Sequence, residues 1–282
     1  MNEPLVLANS MKLPAESSGA LLQLSRQTAG WEWMSFYVRR LLPGEAFQLK
    51  TAGEEVACVL LGGTCRVDWG EGPRSIGRRR NVFEGLPYCL YVPAFSGASF
   101  VAETTCEIAE CRVPSEARLD PKLITPKDVV SSLRGGGNNS RQIVDLITPS
   151  FAADKLMVIE VYTPGGNWSS FPPHKHDAHN MPSEADLDEI YYFRFRNDES
   201  FAFQHLYGNN EVGSRALKTR DGDTVLVRSG YHTVVAGPGY DTYYLNFLAG
   251  SARSLAATED SQHSWIRSTW NGTDPRLPLI RE

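Results

Sequence analysis

Glu189–Phe195 reads EIYYFRF, and the alternation of its side chains decides the fold. A run of β-branched and aromatic residues between the acidic stretch EADLD and the turn residues Asn197 and Asp198 is a strand rather than a helix. Successive side chains on a strand point to opposite faces. Glu189, Tyr191, Phe193 and Phe195 therefore share one face, and Ile190, Tyr192, Arg194 and Arg196 the other. The first face is aromatic and turned inward, with a carboxylate at its end. Burying an unpaired carboxylate is costly, so Glu189 needs a partner, and a metal ion would supply one.

Outward from this strand the same texture continues. KLMVIEVYTP, SFAFQHLYG, TVLVRSG, YHTVVAG and YDTYYLNFLAG in the second half, with WEWMSFYVRRL, EVACVLLGG, TCRVDWG and YCLYVPA in the first, are short runs broken by Gly, Pro, Asn and Asp. They predict an all-β protein. One short helix is expected at Asp128–Leu133, ending near the glycines of RGGGNNSRQI, Arg134–Ile143. That glycine-rich stretch reads as a link between two β domains, residues 1–133 and 134–282, or else as a functional loop. The halves share a rhythm, EEVACVLLGGTCRV then LPYCLYVPA against DEIYYFRF then RSGYHTVVA, which is a weak internal repeat.

Composition removes several classes of function. The 282 residues carry a formal net charge of -5 and a pI near 5.7, leaving no basic surface for nucleic acid or an anionic membrane. No run approaches the ~20 apolar residues of a transmembrane helix. The N-terminal MNEPLVLANSMKLPAESSG lacks the basic and apolar regions of a secretion signal, so the expected location is the cytoplasm. Cys58, Cys65, Cys89, Cys106 and Cys111 are odd in number and form no CxxC pair, which reads as buried free thiols.

Histidine is the informative residue, and all six histidines follow Pro173. His174 and His176, in FPPHKHD, stand at i and i+2 and share a face, whereas Lys175 between them points away. His232, in RSGYHTVV, leads a strand after a Ser-Gly turn. Three imidazoles and Glu189, brought from separate strands, would make a nitrogen-rich site suited to zinc, iron, manganese, nickel or cobalt.

The order of these motifs, His-x-His, then Glu before an aromatic strand, then Gly-x-His before a short strand, resembles the cupin superfamily. FPPHKHD, EIYYFRF, GYHTVVAGPGYDTYYLNFLAG, DPRLPL and RGGGNNSRQI together resemble the 5-deoxy-glucuronate isomerase family of inositol catabolism, over nearly the whole chain. The resemblance implies a bicupin of two double-stranded β-helix (jelly-roll) barrels. The first would lack metal ligands, and the second would bind metal and carry a C-terminal extension. The implied cofactor is a divalent ion, zinc first, on His174, His176, Glu189 and His232. Many cupins place the glutamate three or four residues after the second histidine. Here DAHNMPSEADLD intervenes, and a shifted register would give the role to Glu184.

The implied reaction takes 5-deoxy-D-glucuronate to 5-dehydro-2-deoxy-D-gluconate in myo-inositol catabolism, moving hydrogen from C2 to C1 with Lewis-acid help. His205, sharing a strand face with Phe201, Phe203 and Tyr207, is a candidate base, and Tyr244 a candidate donor to an oxyanion. The substrate carboxylate calls for a cation. Arg141 in the glycine-rich stretch is the first choice, with Lys175, Arg215 and Arg228 as others, while Arg194 faces away from Glu189. Two other functions fit the same ligand set: an iron dioxygenase, and a non-catalytic sugar-binding module. The expected partners are a small sugar acid and, through exposed sheet edges, further copies of the chain.

Overall fold

Alternating runs punctuated by turn residues become short antiparallel strands throughout the structure, a computed structural model that describes residues 6–14, 16–209 and 213–281. In chain order these are β1 (Leu7–Ala8), β2 (Gly19–Leu24), β3 (Ser35–Leu41), β4 (Ala46–Lys50), β5 (Glu54–Gly62), β6 (Cys65–Asp68), β7 (Arg74–Ile76), β8 (Tyr88–Val92), β9 (Gly97–Ala102), β10 (Cys106–Pro114) and β11 (Lys122–Ile124). There follow β12 (Val130–Arg134), β13 (Arg141–Ile147), β14 (Met157–Thr163), β15 (Trp168–Lys175), β16 (Leu187–Phe195), β17 (Ala202–Tyr207), β18 (Arg215–Thr219), β19 (Thr224–Val227), β20 (Tyr231–Ala236), β21 (Thr242–Gly250) and β22 (Thr258–Glu259).

The chain divides into two compact units. Ser10–Val129 with Ser150–Leu156 forms the N-terminal one, and Val130–Pro149 with Met157–Ile280 forms the C-terminal one, to which β1 also belongs. The expected division between residues 133 and 134 falls inside β12. In the N-terminal unit a six-stranded sheet, β11-β8-β5-β10-β3-β2, accompanies a four-stranded one, β4-β9-β6-β7. Its core is apolar: Leu49, Val56, Leu60, Val67, Leu90, Phe100 and Ile108 pack in one buried cluster. Each fully buried side chain of this kind contributes about 1.5–3 kcal/mol. All five cysteines are buried and unbridged.

In the C-terminal unit a seven-stranded sheet, β1-β19-β16-β21-β14-β13-β12, accompanies a five-stranded one, β18-β17-β20-β15-β22. Tyr191, Phe193 and Phe195 of β16 join Val161, Val225, Val234 and Tyr244 in its core, as their shared face requires. Arg194, on the other face, pairs with Asp221 at 3.0 Å.

Two local expectations give way. The helix at Asp128–Leu133 is absent: Asp128 instead accepts hydrogen bonds from the Thr125 backbone (2.9 Å) and hydroxyl (2.6 Å), closing a turn, and Val130 onward is strand β12. Pairing with β13 supplies the backbone partners that a helix would have supplied internally. The glycine stretch is not a link between domains but the tight connection from β12 to β13. At Gly135 (φ +82°) a Cβ would strike the Asn139 carbonyl, which is why glycine is needed there. The internal repeat is real in topology but shifted: β8 lies beside β5 where β19, not β20, lies beside β16.

Candidate metal centre

The histidine-bearing strand β15 is irregular. Ser169 pairs with Val234 and His174 with His232, so five steps along β15 span two along β20, three more than a regular ladder needs. This bulge holds Ser170 at φ +52° and includes Pro172 and Pro173, whose missing N–H donors suit an interrupted ladder. Beyond it, His174 stands opposite His232. His176 follows the strand end, where its carbonyl accepts the Leu187 N–H at 3.0 Å and its Nδ1 meets the Leu187 carbonyl at 3.1 Å. That closure ties off the intervening loop and sets Glu189, near the head of β16, beside His176.

Gly230 places the third imidazole. Its φ is +83°, and a Cβ there would lie 2.6 Å from the Tyr207 carbonyl oxygen, so only glycine fits this approach. Its N–H donates to Asp177 at 2.8 Å, and its carbonyl faces His232 Nδ1 at 3.5 Å.

The nitrogens of His174, His176 and His232 lie within 4.8 Å of one another, and the three can hold a metal ion. The remaining atoms fit such an ion. A backbone carbonyl only accepts, so the Nδ1 atoms of His176 and His232 carry hydrogens and their Nε2 atoms present lone pairs. Glu189 Oε2 nevertheless lies 2.8 Å from His176 Nε2 and 3.3 Å from His232 Nε2, the second contact outside hydrogen-bond geometry. Lone pairs facing a carboxylate oxygen require a cation between them, either a proton or a metal ion. Burial works against the Glu189 charge, yet the close contacts of the His176 and His232 imidazoles, with their positive charge, hold its pKa down to about 2. Burial likewise opposes protonation of His176, but Glu189 outweighs it and raises the pKa. His174 is pulled well below the ordinary imidazole range by burial and by its two imidazole neighbours, which keeps it neutral and ready to ligate.

His174, His176 and Glu189 open onto a cavity of about 170 Å³, into which Arg141, Ser170, Tyr191 and Tyr244 also face. Arg141 Nη1 donates to the Asn139 carbonyl at 3.2 Å, and among the described residues no carboxylate pairs with this arginine. Burial, foremost, lowers its pKa, and the charges of Arg134 and Arg267 add to that effect. A larger hollow of about 490 Å³, lined among others by Lys175, Asp177, Tyr207 and Arg228, includes none of the three clustered histidines or Glu189.

Three sequence candidates lie elsewhere. His205 is turned to the opposite side of β17, because Ala202 and Leu206 pack inward, and its Nε2 bonds to Ser214 at 2.8 Å. Lys175 is held by Asp177 (2.6 Å) and Glu184 (2.8 Å) rather than facing the cavity as a substrate contact. Glu184, the alternative ligand, is consumed by Lys175, by the N–H groups of Asp177 (2.9 Å) and Ala178 (3.1 Å), and by the Thr258 hydroxyl. Ser169, Ser170 and Tyr191 were not legible as site residues. Tyr191 shares the Glu189 face, but the bulge that brings in both serines has no period in the sequence.

Two units of paired antiparallel sheets, the second with imidazoles gathered at its inner wall, define a cupin with two barrels. Solved structures agree: the oxalate decarboxylase of Lactobacillus farciminis superposes with a TM-score of 0.68 over 95% of this chain and 91% of that one, at 11% identity. The chain belongs to the KduI/IolB family, whose model matches residues 9–266. A 5-deoxy-glucuronate isomerase of Geobacillus thermodenitrificans is 39% identical over 88% of this chain and 91% of its own. One from Bacillus subtilis strain 168 is 34% identical over 83% and 88%. A crystal structure of an IolB-like protein from Salmonella typhimurium gives a TM-score of 0.88 at 35% identity, covering 93% of this chain and 99% of that one.

Proposed function

We propose that the chain is a cytoplasmic, metal-dependent aldose-ketose isomerase that converts 5-deoxy-D-glucuronate to 5-dehydro-2-deoxy-D-gluconate in myo-inositol catabolism. The observation that carries the reading is a cavity bearing both the imidazole–Glu189 cluster and an arginine without a carboxylate partner, in a chain whose relatives bear that isomerase name. Among the described residues no helix is long and apolar enough to cross a membrane.

His174, His176, His232 and Glu189 would hold a divalent ion, zinc first among the candidates. Bound there, it supplies Lewis acidity that polarises the substrate carbonyl and eases removal of the C2 proton. Arg141 pairs with the uronate carboxylate, which orients the substrate and relieves the arginine's own buried charge. Tyr244 is raised above the ordinary phenol range by burial, so at neutral pH it offers a hydrogen to a substrate oxygen rather than acting as a base. The apolar walls, including Ile143, Val161 and Leu248, exclude water from that exchange. Purified protein should interconvert the two sugar acids and lose that activity on chelation. Full activity in metal-free protein, or no turnover of the uronate, would contradict the reading.

A further inference from the structure

The bulge in β15 is where the chain departs most from regular geometry. In a regular strand Ser169 and Ser170 would point to opposite faces. Here the Tyr244 hydroxyl lies 3.0 Å from Ser169 Oγ and 3.5 Å from Ser170 Oγ, so both serines reach one phenol. Ser170 also lies 3.2 Å from the Tyr191 hydroxyl. Tyr191 and Tyr244 are buried, with ring centroids 4.8 Å apart. The change of face comes from the left-handed backbone of Ser170, at φ +52°, a conformation open to glycine but strained for a residue with a Cβ. A bulge needed only for the fold would take glycine at no penalty. The serine instead stands where its hydroxyl joins two phenols on the cavity wall.

We infer that Ser170 is a positioning residue for the isomerisation: the bulge turns its hydroxyl inward, where it aligns the Tyr191 and Tyr244 hydroxyls with the two reacting oxygens of the substrate. The inference rests on the isomerase reading and deepens it. Converting an aldose to a ketose moves one proton from C2 to C1 and one from O2 to O1, with no net gain or loss. O2 begins as a hydroxyl and ends as a carbonyl, and O1 does the reverse. The oxygens therefore exchange donor and acceptor roles, and their protein partners must do so too. A hydroxyl can reverse in this way, whereas a guanidinium or a backbone N–H cannot. The Tyr191–Ser170–Tyr244 contacts are of this kind, since in both either oxygen can be the donor.

The test uses metal-loaded full-length protein and two substitutions. Ser170→Ala removes the hydroxyl and keeps the Cβ, and Ser170→Gly removes the hydroxyl and relieves the backbone. Both should lower kcat about 10- to 100-fold while leaving KM within about threefold, with unchanged metal content. Ser170→Gly should melt no lower than the parent. In a Tyr244→Phe background, Ser170→Ala should cost less than it does in the parent, because part of its effect runs through the Tyr244 hydroxyl and part through Tyr191. Retention of parental kcat by Ser170→Gly would overturn the assignment and leave Ser170 a backbone element. So would a loss of kcat that only follows loss of metal, or independent losses in the double variant. No turnover of the uronate by the unsubstituted protein would overturn the isomerase reading and this inference together, an outcome distinct from active parent and equally active variants.

Discussion

The two barrels repeat one plan and differ in what they place at corresponding ladder positions. The order β8-β5-β10-β3-β2 matches β19-β16-β21-β14-β13, and β4-β9-β6-β7 matches β15-β20-β17-β18. Where His174 stands opposite His232 in the C-terminal barrel, Leu49 stands opposite Ala98 in the N-terminal one. Where Glu189 lies opposite Val227, Val56 lies opposite Val92. Leu49, Ala98 and Val56 are buried members of the apolar core. From Phe47 to Leu49, β4 keeps step with β9 residue for residue, and there is no counterpart of the bulge around Ser170. The N-terminal barrel thus closes with neither the imidazoles nor the bulge, so barrel closure alone does not account for them.

The buried carboxylates make the same contrast. In the N-terminal unit Glu110 pairs with Arg39 and Arg112. Glu55 accepts from Tyr91 and from three consecutive backbone N–H groups, Asp154 to Leu156. Glu189 meets the imidazoles of His176 and His232, whose other nitrogens face backbone carbonyls, with the Tyr191 phenol beside it. The arrangements of Glu110 and Glu55 are complete within the protein, whereas that of Glu189 leaves a place for a cation.

The comparison can be broken by copying one barrel into the other. His174→Leu, Glu189→Val and His232→Ala together should abolish metal binding by elemental analysis and reduce kcat about 1,000-fold or more. The same protein should melt no lower than the metal-free parent, because apolar groups replace a buried charged cluster. A variant that fails to fold would show that the ladder correspondence is wrong. A smaller effect is expected from Arg141→Ala, which should raise KM for the uronate about 10- to 100-fold in steady-state kinetics, as loss of a charge-assisted contact predicts.

Lys175→Met should act on stability instead. It leaves Asp177 and Glu184 without their ammonium partner and should cost about 2 kcal/mol in urea unfolding, the partial exposure of Lys175 moderating the penalty of a broken buried pair. KM should stay within about twofold; a large rise would restore Lys175 as a substrate contact. The smallest effect belongs to His205→Ala. Its outward imidazole and Ser214 bond predict parental kinetics and a stability change within about 0.5 kcal/mol.

Alternation and strand punctuation were enough to read the all-β architecture, the inward face of β16 and the outward turn of Lys175, because those features repeat with a period of two. His205 was misplaced by the same rule. The phase of β17 is set by Ala202 and Leu206 packing inward, and the apolar Phe203 instead stands 39% exposed. The helix expected at Asp128–Leu133 lost to pairing with β13, a partner that local propensity does not contain. Ser170 was invisible for a related reason: its direction follows from a break in register, and only the partner strand reveals that break. The family resemblance, which implies a ligand glutamate directly before the aromatic strand, favours Glu189 over Glu184. The tie of Glu184 to Lys175 and Thr258 depends on loop closure, which spacing alone does not describe.

The central claim, that the C-terminal barrel isomerises its substrate through one metal site, is tested most directly by elemental analysis and turnover of 5-deoxy-D-glucuronate on the same purified sample. About one divalent ion per chain, removed together with activity by a chelator and restored with it, is the predicted result. Metal that persists after the three site substitutions, or full turnover without any metal, would contradict it.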